Sequence, residues 1–184
     1  MAGLRIIAGA LKGRRLKTPD WPGLRPTSDK LRETLFNILA PRIAGARVLD
    51  AFAGTGALGI EALSRGAATV TFVEQDRRAQ ALIAANLAEC GIDTGYNLVR
   101  GAVDRAVATL QASGFEPFDV VLLDPPYAMP GHAALLKIDA LVAPGGVVVL
   151  EHARRAPAPE QAGRLVRVRE VRSGDSMLTF YEAR

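Results

Sequence analysis

Val48-Leu49-Asp50-Ala51-Phe52-Ala53-Gly54-Thr55-Gly56-Ala57-Leu58-Gly59 is the stretch on which the fold turns. It reads as a buried strand, a glycine-rich turn and the start of a helix. Glycines let the backbone turn tightly and leave no Cβ between it and a ligand. The helix start that follows offers N–H groups without intrahelical partners. In an open parallel sheet such a turn lies at the carboxyl end of the first strand, where ligands bind.

The same strand–helix alternation runs on along the chain. Strands are expected at residues 46–50, 69–73, 97–100, 118–123 and 146–150, with helices at 57–64, 77–90, 103–112 and 131–142. That order implies an α/β fold with a parallel sheet and helices on both faces. Residues 164–171 and 177–182 flank Ser173-Gly174-Asp175, a turn signal, and read as a terminal antiparallel hairpin. The sheet would then have seven strands. Upstream, Leu31, Leu35, Ile38 and Leu39 recur at helical spacing over residues 28–39, with Thr27 or Ser28 as N-cap and Pro41 as the stop. Residues 1–26 are rich in Gly, Pro and Arg and read as an arm with a short hairpin. The expected organisation is an arm and helix, residues 1–40, packed on a main domain of residues 41–184. A chain of 184 residues accommodates this as one folding unit.

Composition narrows the function classes. The single cysteine, Cys90, excludes an internal disulfide and reads as a small buried hydrophobe. Only His132 and His152 are present and no zinc-ligand spacing occurs, so no metal site is expected. The longest apolar run, Val147-Val148-Val149-Leu150, is far too short to span a bilayer, and the N-terminus lacks the apolar core of a signal peptide. A cytoplasmic protein without membrane partners is expected. The formal charge is +4, but residues 1–32 hold eight Lys/Arg against Asp20 and Asp29. Basic character is thus concentrated in the arm. It suits a polyanion such as nucleic acid, or else simply solvates a surface.

Asp50 stands at the strand end, ahead of the glycine loop. A carboxylate there would repel a pyrophosphate and suit a cationic ligand, and S-adenosylmethionine carries an ammonium and a sulfonium. The second strand ends in Glu74, twenty positions after Gly54. An acid at that spacing can accept hydrogen bonds from both ribose hydroxyls. The expected cofactor contacts are Asp50, Phe52, Gly54, Thr55, Gly56, Glu74 and Gln75. Ala102 or Val103, after the third strand, would lie beside the adenine, and Asp124 would border the site. The structural alternatives are a turn-forming Asp50 and a solvated Glu74.

Asp124-Pro125-Pro126-Tyr127 follows the fourth strand. An exocyclic base amine is a poor nucleophile because its lone pair is delocalised into the ring. Acceptors around its N–H bonds localise that lone pair, and the Asp124 carboxylate and the Pro125 carbonyl can be those acceptors. The paired prolines, Pro125 and Pro126, restrict φ and preorganise the turn. Tyr127 can stack on the base. No strong base need act before attack, because the proton becomes acidic once the nitrogen is alkylated; Asp124 or water takes it. The structural alternative is a strand-terminating turn with a surface tyrosine.

Several segments together resemble the bacterial RsmD-type methyltransferases. They are Arg5-Ile6-Ile7-Ala8-Gly9, Lys12-Gly13-Arg14, Leu24-Arg25-Pro26-Thr27, Arg32-Glu33-Thr34-Leu35-Phe36-Asn37, the run from Leu49 to Gly66, Asp124-Pro125-Pro126-Tyr127 and Glu151-His152. The resemblance covers essentially the whole chain. It implies a Rossmann-like class I methyltransferase fold, S-adenosylmethionine as donor and methylation of guanine N2 in 16S rRNA. By the same resemblance the substrate is an assembled or assembling 30S subunit. A monomer without a DNA partner is expected. Arg5, Lys12, Arg14 and Arg15 would contact RNA phosphates, which position but do not specify. Arg25, Thr27 and Arg32 would edge the active site, or else form an ion pair or cap on the first helix. Glu151 and His152 either line the base pocket or close a strand end. Three rival readings are a DNA or other RNA amino-methyltransferase acting on adenine N6 or cytosine N4, a small-molecule or protein-amide methyltransferase, against which the basic arm argues, and a non-catalytic ribosome-assembly factor. The short connections leave no room for the recognition insert of a DNA enzyme, and the glycine loop and Asp-Pro-Pro-Tyr turn look intact.

Overall fold

Apolar side chains on the central strands divide by parity into two cores, which is why their sequences read as unbroken hydrophobic runs. Val48, Val120, Leu122, Val147 and Val149 face one core, and Leu49, Val121, Leu123, Val148 and Leu150 face the other. The computed structural model describes residues 3–24 and 27–184. The elements are α1 (Asp29–Ile43), β1 (Arg47–Asp50), α2 (Ala57–Ser64), β2 (Thr69–Glu74), α3 (Arg77–Glu89), β3 (Tyr96–Arg100), α4 (Val103–Ala112), β4 (Phe118–Leu123), α5 (Gly131–Ile138), β5 (Val142–Ala153), β6 (Gln161–Ala162), β7 (Leu165–Ser173) and β8 (Ser176–Ala183). The sheet order is β3-β2-β1-β4-β5-β8-β7-β6. The first five of these strands run parallel, and β8 joins β5 antiparallel. The arm, α1, α2 and α3 cover the first core, and α4 and α5 cover the second.

The arm is a hairpin reduced to one bridge, Arg5 to Arg15, closed by Ile6 N–H to Arg14 O and Leu16 N–H to Leu4 O. Its Leu4, Ile6 and Leu16 are buried in the first core. The tip docks on the end of α2: Ala10 N–H donates to Ser64 O at 2.8 Å and Leu11 N–H to Ser64 Oγ at 3.0 Å. At Gly9, with φ +86°, an added Cβ would stand 1.9 Å from the Ser64 carbonyl oxygen, so only glycine permits this approach. From there the arm climbs α3. Asn86, fully buried, clamps Lys17 through both backbone groups and also donates to Thr55 O. The Arg78 guanidinium then lies over the Trp21 ring, 4.9 Å from its centroid.

Four expectations need correction. Helix α1 does not stop before Pro41 but runs through it to Ile43. Leu35, Leu39 and Ile43 are each buried at four-residue spacing, and that burial outweighs the single hydrogen bond lost at proline. Helix α5 ends at Ile138 rather than near 142; a 3₁₀ turn, Asp139–Leu141, follows, and β5 begins at Val142. Val142 already pairs with Phe118, and the chain around Pro144-Gly145-Gly146 bulges before pairing resumes at Val147. The sheet has eight strands, not seven, because the Pro/Ala-rich stretch 156–161 leads into β6. It is pinned there by the Tyr181 hydroxyl donating to Pro159 O and by His152 Nδ1, 2.9 Å from Ala156 O.

The fourth correction concerns Arg32, expected near RNA. Its side chain is fully buried between α1 and α2, paired with Asp29 at 2.6 Å and with Glu61 at 3.6 Å. It serves the ion-pair alternative and cannot reach a phosphate. Cys90 is buried as expected, and burial pushes its thiol pKa up. Among the described residues, no helix is long and apolar enough to cross a membrane.

Candidate active site

The strand ends bring four carboxylates into a row. Asp50 ends β1, Glu74 ends β2, Asp124 follows β4 and Glu151 lies near the end of β5. These strands are neighbours in the order β2-β1-β4-β5, with Leu123 opposite Leu150 and Asp50 opposite Leu122. Parity sends all four acids to the face covered by the arm and α1–α3.

Asp50 is 2 % exposed, and its Oδ2 accepts from Gly59 N–H at 3.0 Å, tying the strand end to α2. Its pKa is pushed up to about 7, chiefly by burial and further by the charges of Asp124 and Glu74, against the Gly59 hydrogen bond. Burial likewise holds Asp124 above the ordinary carboxylate range. Glu151 is raised by burial and then by the Asp124 charge, opposed by the Ser176 hydroxyl 3.3 Å away. Negative charge is therefore concentrated beyond what the protein itself relieves. This suits a cationic ligand, whose charge would return these acids toward their ordinary range.

The glycine loop lies against this row. Gly54 and Gly56 have φ of +55° and +78°, left-handed conformations natural to glycine. Gly54 N–H donates to Glu74 Oε2 at 2.8 Å, while Asp76 N–H donates to Oε1 of the same side chain at 2.8 Å. Glu74 thus already holds the loop against β2. Leu24 of the arm covers the loop: a Cβ on Gly54 would stand 3.0 Å from Leu24 Cδ1. Thr55 is buried, Phe52 is half-buried against the second core, and Gln75 is exposed beside Glu74. Ala102 N-caps α4, and Val103, its first residue, is buried. The loop, the acid row and the β3–α4 turn all lie at the carboxyl ends of the parallel strands, a cradle whose acids and glycine approach have the chemistry that S-adenosylmethionine requires.

The turn after β4 is closed by Met129 N–H donating to Pro126 O at 2.8 Å. Asp124 and Pro125 are half-buried at the rim, whereas Tyr127 is 95 % exposed. An aromatic ring so exposed on a proline-restricted turn leaves both of its faces open to a planar partner. His152 turns away from the site, its Nε2 2.7 Å from the Thr179 hydroxyl, and so takes the strand-closing role; Glu151 stays beside Asp124.

Not all the basic residues named from sequence gather here. Lys12, Arg14 and Arg15 are exposed at the hairpin, whose tip sits at the far end of α2, about 12 Å from the glycine loop for an eight-residue helix. Arg5 pairs with Asp29 at 3.1 Å. Arg25 lies outside the described residues. Two residues that sequence reasoning passed over organise the site from behind. Asn86 joins arm, loop and α3, and Glu61, fully buried, accepts from Ile7 N–H, Ala8 N–H and the Arg65 guanidinium. A buried acid within the otherwise apolar α2 was the signal for Glu61. Among the described residues, no cluster of His, Cys, Asp and Glu could hold a metal ion.

Residues 4–182 match the family model described as Conserved hypothetical protein 95. The putative rRNA methyltransferase YlbH of Bacillus subtilis is 38 % identical over 98 % of this chain and 100 % of its own length. Ribosomal RNA small subunit methyltransferase D of Escherichia coli is 48 % identical over 67 % of this chain, a match spanning 60 % of that enzyme. A solved structure, the putative methyltransferase yhhF from Escherichia coli, superposes with a TM-score of 0.85 over 99 % of this chain and 98 % of its own, at 31 % identity. The chain belongs to the Conserved hypothetical protein 95 family, that of the RsmD-type methyltransferases.

Proposed function

We propose that this chain transfers a methyl group from S-adenosylmethionine to the exocyclic N2 of one guanine in 16S rRNA, acting as a cytoplasmic monomer on an assembled or assembling 30S subunit. The observation that carries the reading is the rigid Asp124-Pro125-Pro126-Tyr127 turn, with its tyrosine fully presented, one strand from Asp50. The name of the Escherichia coli relative, a small-subunit rRNA methyltransferase, supports the substrate class. A base inside a stacked helix is out of reach, so the target guanine is unpaired or flipped onto Tyr127.

The chain's own residues supply orientation and charge. Tyr127 fixes the plane of the base. The Asp124 carboxylate and the Pro125 carbonyl accept the two N–H bonds of the amine, turning its lone pair toward the cradle. S-adenosylmethionine, held at the acid row and glycine loop, would supply the methyl group, the carbon–sulfur electron pair staying on sulfur as the thioether of S-adenosylhomocysteine. The alkylated nitrogen then releases a proton, which Asp124 accepts; its raised pKa makes it a better acceptor than an ordinary carboxylate. The substrate class is tested by offering labelled cofactor with 30S particles, naked rRNA, DNA and free nucleosides. Label entering rRNA or 30S particles supports the reading, and label confined to DNA or nucleosides overturns it.

Two further results are expected. Glu74→Ala removes an acceptor for the ribose and releases Gly54, so cofactor affinity measured by calorimetry should fall at least about tenfold, the worth of one good hydrogen bond. An unchanged affinity would reject the ribose contact. The raised acids also predict a pH signature. Their folded-state values lie above the unfolded ones, so the ligand-free protein binds extra protons between the ordinary carboxylate range and about pH 7. It should therefore gain stability as pH falls from about 8 to 5. A cationic cofactor favours the ionised acids, so its binding should strengthen as pH rises and should release protons. Calorimetry in buffers of different ionisation enthalpy reads that release directly, and proton uptake would contradict the acid row as the cation site.

A further inference from the structure

A cavity of about 560 Å³ opens at the β3 edge of the sheet, between α3 and the start of α4. Arg77, Arg100 and Arg105 line it, over a floor that includes Ala81, Ala84 and Gly101. All three arginines are exposed, and the acids nearest them in sequence are engaged elsewhere. Asp76 pairs with Arg78 at 2.9 Å, Asp104 pairs with Lys137, and both oxygens of Glu74 accept backbone N–H groups. Among the described residues none of the three arginines is in an ion pair. Three unneutralised guanidiniums converge on one concavity at the end of the molecule that carries the acid row.

We propose that this groove binds the phosphate backbone of the RNA substrate next to the target guanine. The inference rests on the rRNA reading above and gives that substrate a second anchor, separate from the arm. Guanidinium forks match phosphate oxygens, and the open concavity admits a strand rather than enclosing a small molecule. Position supports it as well. Arg100 ends β3, and Arg77 and Arg105 lie in the first turns of α3 and α4, so all three are at the carboxyl end of the sheet. Three strand spacings separate β3 from β4, about 14 Å, a distance covered by a few nucleotides of extended strand. The arm tip lies at the opposite end of α2. The groove meets the cofactor cradle at Gln75 and Gly101, but Asp50, Phe52, Gly54 and Asp124 do not line it. An RNA strand held here would cross the rim beside the adenosyl site and deliver its base to Tyr127.

The test compares wild type, the triple variant R77A/R100A/R105A and its lysine counterpart, using 30S particles and a short unstructured RNA oligonucleotide as probes over a range of salt. The alanine variant should bind both probes at least about tenfold more weakly. Its salt slope should be shallower by about 2, at about 0.7 per phosphate contact to a single strand. Cofactor affinity should be unchanged, and the lysine variant should keep most of the slope. An unchanged slope overturns the proposal. Loss of cofactor affinity also overturns it, by making the groove part of the adenosyl site. So does self-association with intact RNA affinity, which would mean that the arginines guard the open edge of β3. Methyl transfer by wild type to the same particles separates the two readings. If it proceeds and the variant's slope is unchanged, only the groove falls; if it does not occur, both fall.

Discussion

Asp124→Ala is expected to lower methyl transfer by at least about 10²–10³-fold, the usual effect of removing one preorganised electrostatic partner of a transition state. Cofactor affinity should fall far less than the rate, because Asp50 and Glu74 remain in the acid row and still hold α2 and the glycine loop. Asp124→Asn separates two roles. The amide keeps an acceptor oxygen for one N–H of the target amine but cannot take up the proton. If orientation dominates, the asparagine variant retains most of the rate; if proton acceptance dominates, it is as slow as alanine. Near-normal turnover by the alanine variant would remove Asp124 from the mechanism. The turn itself should survive either change, since its closing hydrogen bond joins Met129 to Pro126 and the prolines restrict its backbone.

The second large effect concerns stability rather than rate. Glu61 is a fully buried carboxylate that receives Ile7 N–H at 2.9 Å, Ala8 N–H at 3.0 Å and Arg65 Nε at 2.8 Å, and it faces the buried Arg32 at 3.6 Å. Glu61→Ala would strand two backbone donors and leave the Arg32 cation with Asp29 as its remaining partner. The expected loss is about 3–5 kcal/mol, because two part-buried N–H groups lose their acceptor and the buried Arg32 loses one of its two carboxylates. For a chain of this size the melting temperature should drop by about 10 °C. The arm should also come loose, so limited proteolysis within residues 3–24 should precede global unfolding. Glu61→Gln, which keeps an acceptor for the N–H groups, should recover part of the loss. A melting temperature within about 1 °C of wild type would show that the arm is held by its apolar contacts alone.

The strands with both faces buried announced themselves in the sequence, because parity packing makes each one a continuous apolar run. Gly54-Thr55-Gly56, Asp50 and Glu74 could be placed for the same reason: each stands where such a run ends. The difficulties lay where two physical demands compete. Pro41 forbids one hydrogen bond, but the buried spacing of Leu35, Leu39 and Ile43 carries α1 past it. Leu141 and Val142 are apolar enough to continue α5 or to begin β5, and pairing with Phe118 decides the matter. The two residues of β6 have no pattern of their own and pair only because β7 is already there.

Charge was the hardest property to place. Arg32 and Arg5 carry the same formal charge, yet one is sealed against Glu61 and the other sits in an exposed pair with Asp29. Arg77, Arg100 and Arg105 are scattered along the chain, and only the crossover that puts α3 and α4 on opposite faces of β3 gathers them. The raised pKa of Asp50 likewise depends on neighbours contributed by β2 and β4.

The central claim is that the Asp124-Pro125-Pro126-Tyr127 turn presents the N2 amine of a guanine in 16S rRNA to the methyl donor. Digestion of enzymatically labelled 30S particles to nucleosides, followed by mass spectrometry of the labelled product, tests it most directly. The account predicts that the label resides in N2-methylguanosine at a single site in 16S rRNA, and that the Asp124→Ala protein yields at least about 10²-fold less. Label in N6-methyladenosine or N4-methylcytidine, or equal label from the Asp124→Ala protein, would contradict it.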